Sequence, residues 1–297
     1  MRESAKFSLG TVRDQDDTLD LRYGVLHSKQ LPRRYVVFAN GRTEWLEKYA
    51  YLAGDLQRPD DCAFLTWDHR GQGASGGVRG HVDSYRTFAR DAAAVIAAVC
   101  GETPYALVTH SMGGLIGLYG ILQGFLRPQT LVLSSPLLGM PNWPVPRSLA
   151  EPLTRFMTLL RLGARESGAG ALGNTPFAGN RYTHYAARYA AMVASPYPVG
   201  SPTFSWVAAT FAAIGVVFDP SALASLTVPT LVLGGTEESI VDYEAFYRWV
   251  RLASDTAKTD VQLRLVQGAR HELFSETPVH YDIAVAAMRH WFKAFLT

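Results

Sequence analysis

The chain has 297 residues, 48% of them hydrophobic and 18% charged, with a formal net charge of +2. That is enough apolar material for one large core, or a core with an insertion, and the charge balance gives no electrostatic case for a nucleic-acid partner. The two cysteines, Cys62 and Cys100, show no CxxC or Cys/His spacing and read as small core residues rather than a disulfide or a zinc site.

Along the chain, the opening MRESAKFSLGTVRDQDDTLDL carries no apolar run of signal-peptide length. No later run approaches the ~20 uninterrupted apolar residues of a spanning helix. A soluble, cytoplasmic protein is the expectation, with peripheral membrane contact left open. From residue 19, short β-branched or aromatic runs alternate with helical ones. LDLRYGVLH and RRYVVFA read as strands, WLEKYAYLAGDL as a helix and CAFLTW as the next strand. After a glycine-rich loop come the helix YRTFARDAAAVIAAV, the strand YALVT, the helix MGGLIGLYGILQ and the strand TLVLSS. Residues 138–225 break this rhythm. They open with MPNWPVP, contain GARESGAGALGNTP and show helical fragments without a clear strand. The alternation resumes with PTLVLGG, DYEAFYRWVRLA, VQLRLV and PVHYDIAVAAMRHWFKAF.

This pattern predicts an α/β class fold with a mostly parallel sheet covered on both faces, its opening strands able to pair antiparallel at one edge. Residues 1–137 and 226–297 would form the core domain. Residues 138–225 would be a mostly helical cap inserted between two strands.

The glycine-rich GQGASG, 71–76, satisfies G-x-G-x-x-G after a strand. A dinucleotide site also needs a helix opening inside that motif, and GVRGHVDSY intervenes first, so a structural turn is the better reading. No cofactor is expected.

The most informative stretch is YALVTHSMGGLIGLYG. A buried strand runs into His110-Ser111-Met112, and Gly113-Gly114 then open a helix. A serine on such a turn is lifted off the sheet, beside backbone N–H groups that favour negative charge. The G-x-S-x-G pattern has one departure, Thr109 in the first glycine's place, which should tighten the approach of helix and strand. His271 lies in QGARHELFSE, just past the strand VQLRLV, on the rim where open α/β sheets place ligands. It could take the Ser111 proton as a general base. His110 should point away from the serine, and no histidine shows HExxH spacing, so metal ligation is not expected. The loop after PTLVL supplies three acids, Glu237, Glu238 and Asp242. Asp242 is placed to cap the following helix, and Glu237 to lie against the strand end or in solvent.

With nucleophile, acid and histidine in that order, the chain resembles the α/β-hydrolases. NGRTEWLEKYAYLAGDL, DHRGQGASGGVRGHVDSY, THSMGG, GNRYTHYAARY, GSPTFSW, EESIVD and GARHELFSE make it similar to the bacterial lysophospholipase L2 and monoacylglycerol lipase families over nearly its whole length. The resemblance implies an α/β-hydrolase fold and a serine carboxylic ester hydrolase acting on small-molecule lipids with one acyl chain. It implies a Ser111-Glu238-His271 triad, with Glu where similar enzymes usually carry Asp. The implied oxyanion hole uses the backbone N–H groups of Arg42 and Met112, and Asn40-Gly41 stand where many relatives carry His-Gly.

The cap region carries arginines at 147, 155, 161, 165, 181 and 188, interleaved with apolar residues such as Phe156, Tyr182, Met192 and Trp206. Two readings stand: an acyl pocket with arginines facing phosphate or an anionic membrane surface, or a cap core with solvated arginines. A general carboxylesterase, a thioesterase, an aminopeptidase-like amidase and a catalytically silent lipid-binding scaffold are the alternatives, the last supported only by Thr109 and Asn40. The oligomeric state is not legible.

Overall fold

Strand β1 (Ser8–Arg13) is the element the sequence reading omits; it pairs antiparallel with β2 (Asp20–Leu26), in register Gly10 to Tyr23. Its exposed edge position asks for little hydrophobicity, so SLGTVR carries little signal. The computed structural model describes residues 6–140, 147–168 and 175–296. Most of MPNWPVP and residues 169–174 of the glycine-rich stretch lie outside that description.

The remaining strands are β3 (Arg34–Ala39), β4 (Cys62–Trp67), β5 (Tyr105–His110), β6 (Thr130–Ser134), β7 (Thr230–Gly235) and β8 (Val261–Val266). They form one eight-stranded sheet in the order β1-β2-β4-β3-β5-β6-β7-β8. β2 runs antiparallel to β4, and every pairing from β4 to β8 is parallel. This is the α/β architecture that the alternating pattern predicts.

Every residue of β4, β5, β6 and β7 is buried, as parallel strands covered on both faces require. Side chains alternate between two cores. On one face Val37, Leu65 and Leu107 meet helices α2 (Tyr85–Cys100) and α3 (Met112–Leu122). On the other, Val36, Phe64 and Val108 meet α1 (Ala50–Asp55) and the C-terminal helix Pro278–Phe295.

Between β6 and β7 lie α4 (Arg147–Leu159), α5 (Ala186–Val193), α6 (Phe204–Val217) and the short α7 (Pro220–Leu223). The described residues of this segment contain no strand, only one isolated bridge, Glu166 to Thr203. α6 is not peripheral. Its Val207, Phe211 and Ile214 enter the same core as α3, together with Phe246 and Trp249 of α8 (Tyr243–Thr256). Thr203 caps α6 by accepting the Trp206 N–H at 3.2 Å. Helix α9 (Pro278–Phe295) closes the chain. The loops that follow β3, β5, β7 and β8 therefore open on one edge of the sheet.

Candidate active site

Ser111 follows β5 and precedes α3 with φ 51° and ψ −115°, a left-handed conformation that a non-glycine residue adopts only when its surroundings enforce it. The enforcement is visible. The Ser111 N–H donates to the Ser134 carbonyl at 2.9 Å, and the Ser111 carbonyl accepts from Leu137 and Gly114. Helix and strand touch closely here: a Cβ added at Gly113 would lie 2.2 Å from the Ala39 carbonyl oxygen. Thr109 fits because α3 yields room. A Cβ at Gly117 would sit 3.1 Å from Thr109 Cγ2, and the Thr109 hydroxyl donates to the Val132 carbonyl at 3.0 Å. The β-branched residue is thus absorbed by a glycine two turns into the helix.

His271, in the loop after β8, is buried, and its Nδ1 donates to Glu238 Oε2 across 2.7 Å. That bond leaves Nε2 as the basic ring nitrogen. Glu238 Oε1 accepts the N–H groups of Ile240 at 2.7 Å and Val241 at 3.2 Å. Burial pushes the Glu238 carboxyl up, but His271 and these backbone donors outweigh it and hold it below the ordinary value. The neighbouring acids are elsewhere. Glu237 is exposed and pairs with His184 at 3.2 Å. Asp242 caps α8 through Ala245 and meets Arg248 at 2.6 Å.

The loop after β3 carries Asn40-Gly41-Arg42-Thr43. Gly41 N–H is taken by the Glu44 carboxylate and Thr43 N–H by Gln72 Oε1. Among the described residues the Arg42 N–H of this turn has no partner. Asn40 anchors the loop to β4 by donating to the Trp67 carbonyl at 2.9 Å. His69 completes the anchor. It receives Trp67 Nε1–H on Nδ1, so its Nε2–H donates to the Asn40 carbonyl at 3.0 Å. Burial pushes His69 down to about 4 and keeps it neutral.

Ser111, His271, Met112, Gly41 and Arg42 line one cavity of about 330 Å³, with Tyr182, Met192 and Trp206 of the helical segment on its other side. A hydroxyl on an enforced turn, an imidazole oriented by a carboxylate and a backbone N–H without a partner among the described residues thus lie on one cavity, the kinds of group that acyl transfer uses.

Beneath this cavity lies a group the sequence reading did not find. Lys48 Nζ bridges Glu44 and Glu272, the latter at 2.7 Å, and all three side chains are buried. His110 faces the same acids, with Nε2 3.5 Å from Glu272 and 3.8 Å from Glu44, its ring 4.9 Å from that of His271. Burial alone would raise Glu272 and lower Lys48 and His110. The mutual attractions prevail, holding Glu272 well below its usual range and the two bases above theirs. Glu44 also accepts the Tyr49 hydroxyl at 2.7 Å. The Lys48 network therefore ties the Gly41 turn, the His110 strand end and the His271 loop together. Its only trace in the sequence is that each member neighbours a motif.

The GQGASG segment wraps around Asp68, whose carboxylate accepts the N–H groups of Leu46 at 2.8 Å and Ala74 at 2.9 Å. A Cβ at Gly73 would collide with that carboxyl at 2.0 Å, and from Gly71 onward no helix opens until Tyr85. Arg70 meets the carboxylates of Asp91 and Asp14.

Sheet order, strand-serine-helix turn and inserted helices define an α/β-hydrolase. Residues 30–278 match the family described as serine aminopeptidase, S33, and the chain belongs to that family and is a hydrolase. It is 29% identical over 257 residues to the probable lysophospholipase L2 of Haemophilus influenzae, covering 82% of this chain and 79% of the relative. It is 27% identical to the monoacylglycerol lipase of Mycolicibacterium smegmatis, covering 82% and 83%. A thermostable carboxyl esterase from Bacillus coagulans shares the fold with a TM-score of 0.81 at 14% identity, covering 99% of this chain and all of that one.

Proposed function

We propose that the chain is a serine carboxylic ester hydrolase that cleaves lipids bearing one acyl chain, a lysophospholipid or a monoacylglycerol. The observation that carries this reading is the buried His271, oriented by Glu238, in the same cavity wall as Ser111 on its left-handed turn. Ser111 attacks the ester carbonyl while His271 Nε2 takes its proton. Glu238 fixes the tautomer and stabilises the imidazolium. The N–H groups of Met112 and Arg42 receive the oxyanion, and His271 returns the proton to the leaving alcohol. Water then repeats the sequence on the acyl-enzyme. The names of the relatives above support lipid esters as the substrate class, and about 330 Å³ lies at the small end of ligand cavities, suited to one chain rather than two.

Residues 138–225 act as a helical cap over the site. Its α4 carries Leu149, Leu153, Phe156 and Leu159 exposed by 49–80%, spaced so that one helical face presents them. Arg155 and Arg161 stand among them on the outside, and Arg155 pairs with Glu151. This stripe suits contact with a membrane surface holding the substrate. Among the described residues no helix is long and apolar enough to cross a membrane.

A fluorophosphonate probe tests the mechanism. Labelling of wild type that disappears in Ser111→Ala is the expected result, and a folded wild type that never labels would sink the enzyme reading. A panel of lysophosphatidylcholine, monoacylglycerol and p-nitrophenyl esters tests the substrate class.

A further inference from the structure

Two cations in the cavity wall have opposite surroundings. Lys48 is neutralised between Glu44 and Glu272. Arg42 has no ion pair among the described residues. Its Nη2 donates to the Gly200 carbonyl at 2.6 Å, its guanidinium lies 5.4 Å from the Trp206 ring centre, and its Nε is buried with no partner. Burial dominates and pulls the guanidinium down to about 10; Tyr182, Tyr85 and Glu166 lend only a partial opposing field. Isolating a cation this way is costly unless something compensates it. A planar fork that keeps a buried donor without a partner, lies over an indole and belongs to a residue lining the cavity is complementary in chemistry to an oxyanion.

We infer that the Arg42 side chain is the headgroup subsite of this cavity and binds the phosphodiester of a lysophospholipid whose ester carbonyl sits at Ser111. The inference rests on the lipid-ester reading above and deepens it from lysophospholipid or monoacylglycerol to the former. Glycerol separates the phosphate from the acyl carbonyl by a short bridge. One residue can serve both ends, its backbone N–H at the oxyanion and its side chain at the phosphate. A monoacylglycerol ends in hydroxyls and leaves the cation unmatched. The competing role for Arg42 is a clamp that holds the cap through the Gly200 carbonyl, and such a clamp would serve every substrate alike.

The experiment compares lauroyl lysophosphatidylcholine with monolauroylglycerol, below their micelle concentrations, on wild type, Arg42→Lys and Arg42→Met. The ratio of the two kcat/KM values should fall roughly 10- to 100-fold in Arg42→Met, the loss expected for a charge-assisted hydrogen-bond pair. It should appear mainly in KM, and Arg42→Lys should recover part of it. Parallel losses on both lipids would overturn the assignment in favour of the clamp. Should Arg42→Met fail to fold, wild type alone decides, with p-nitrophenyl butyrate as reporter substrate. Dodecylphosphocholine should inhibit at least about 10-fold more tightly than uncharged dodecylglycerol. Equal inhibition, or laurate inhibiting as well as the phosphodiester, would overturn the subsite. A wild type that cleaves the p-nitrophenyl ester but neither lipid overturns the lipid-ester reading and this inference with it. A wild type that cleaves both lipids, with a ratio unmoved in the Arg42 variants, overturns only the role of Arg42.

Discussion

Below the cavity, Glu44, Lys48, His110 and Glu272 are buried against one another, each with an opposite charge in reach. Above it, the segment between β6 and β7 leaves Leu153, Phe156 and Leu159 exposed, with Arg155 and Arg161 on the outside. The floor hangs on parallel strands, of which β5 and β7 have every residue buried, so its loops leave the sheet at fixed places. The roof shares its core with the sheet mainly through α6. On the proposed function the difference separates two tasks: proton transfer needs fixed geometry, whereas admitting a lipid needs apolar surface and room.

The largest effect should come from the floor. Ser111→Ala should lower kcat by about 10⁶, the scale seen when a triad serine is removed, measured by p-nitrophenyl ester hydrolysis. Glu238→Gln should lower it by about 10⁴ with the fold intact, because the wrong histidine tautomer is then favoured. Asp242→Asn, a change between two good helix caps, should leave turnover within a few-fold. A reversal of those two outcomes would move the orienting acid to Asp242.

The same floor shows where sequence reading succeeds and stops. Strands β2 to β8 and the helix after Ser111 were legible because local hydrophobic periodicity specifies them. His271 and the three acids were legible as residues at strand ends. The Lys48 network was not, because it joins positions such as Lys48 and Glu272 that are 224 residues apart, and single-residue context carries no record of such a pairing. The fit of Thr109 was equally hidden, since it depends on Gly117 facing it across the helix–strand contact. Among the roof arginines, Arg188 lies over the Tyr51 ring at 3.5 Å, while Arg161 is exposed. Composition alone does not separate such roles.

Next in size is the network itself. Lys48→Met should destabilise the protein by about 3–5 kcal/mol in urea unfolding, because it strands two buried carboxylates. Adding Glu272→Gln should restore part of that loss. A cost below about 1 kcal/mol would mean that water already relieves these charges, and the contrast between floor and roof would weaken. On the roof, Phe156→Ser with Leu159→Ser should leave stability within about 0.5 kcal/mol, as for exposed sites. Their binding to anionic phospholipid vesicles in a sedimentation assay should fall about 10-fold or more. Unchanged binding would overturn the proposed role of α4 in membrane contact.

The smallest effect is in the acid limb of stability, and its sign follows from Glu238. The folded carboxyl lies below its unfolded value because His271 and the N–H groups of Ile240 and Val241 favour the anion. A group depressed on folding contributes stability above its unfolded pKa, about 4.3 for glutamate. That contribution disappears as pH falls through the lower folded value. Wild type should therefore lose Tm faster than Glu238→Gln below about pH 4.3, and the gap between them should narrow by about 2–4 °C, the equivalent of roughly 1 kcal/mol in a chain of this size. Thermal melts from pH 7 down to pH 3 measure it. A gap that stays constant over that range would show that the His271 pair contributes geometry to the floor without contributing to its stability.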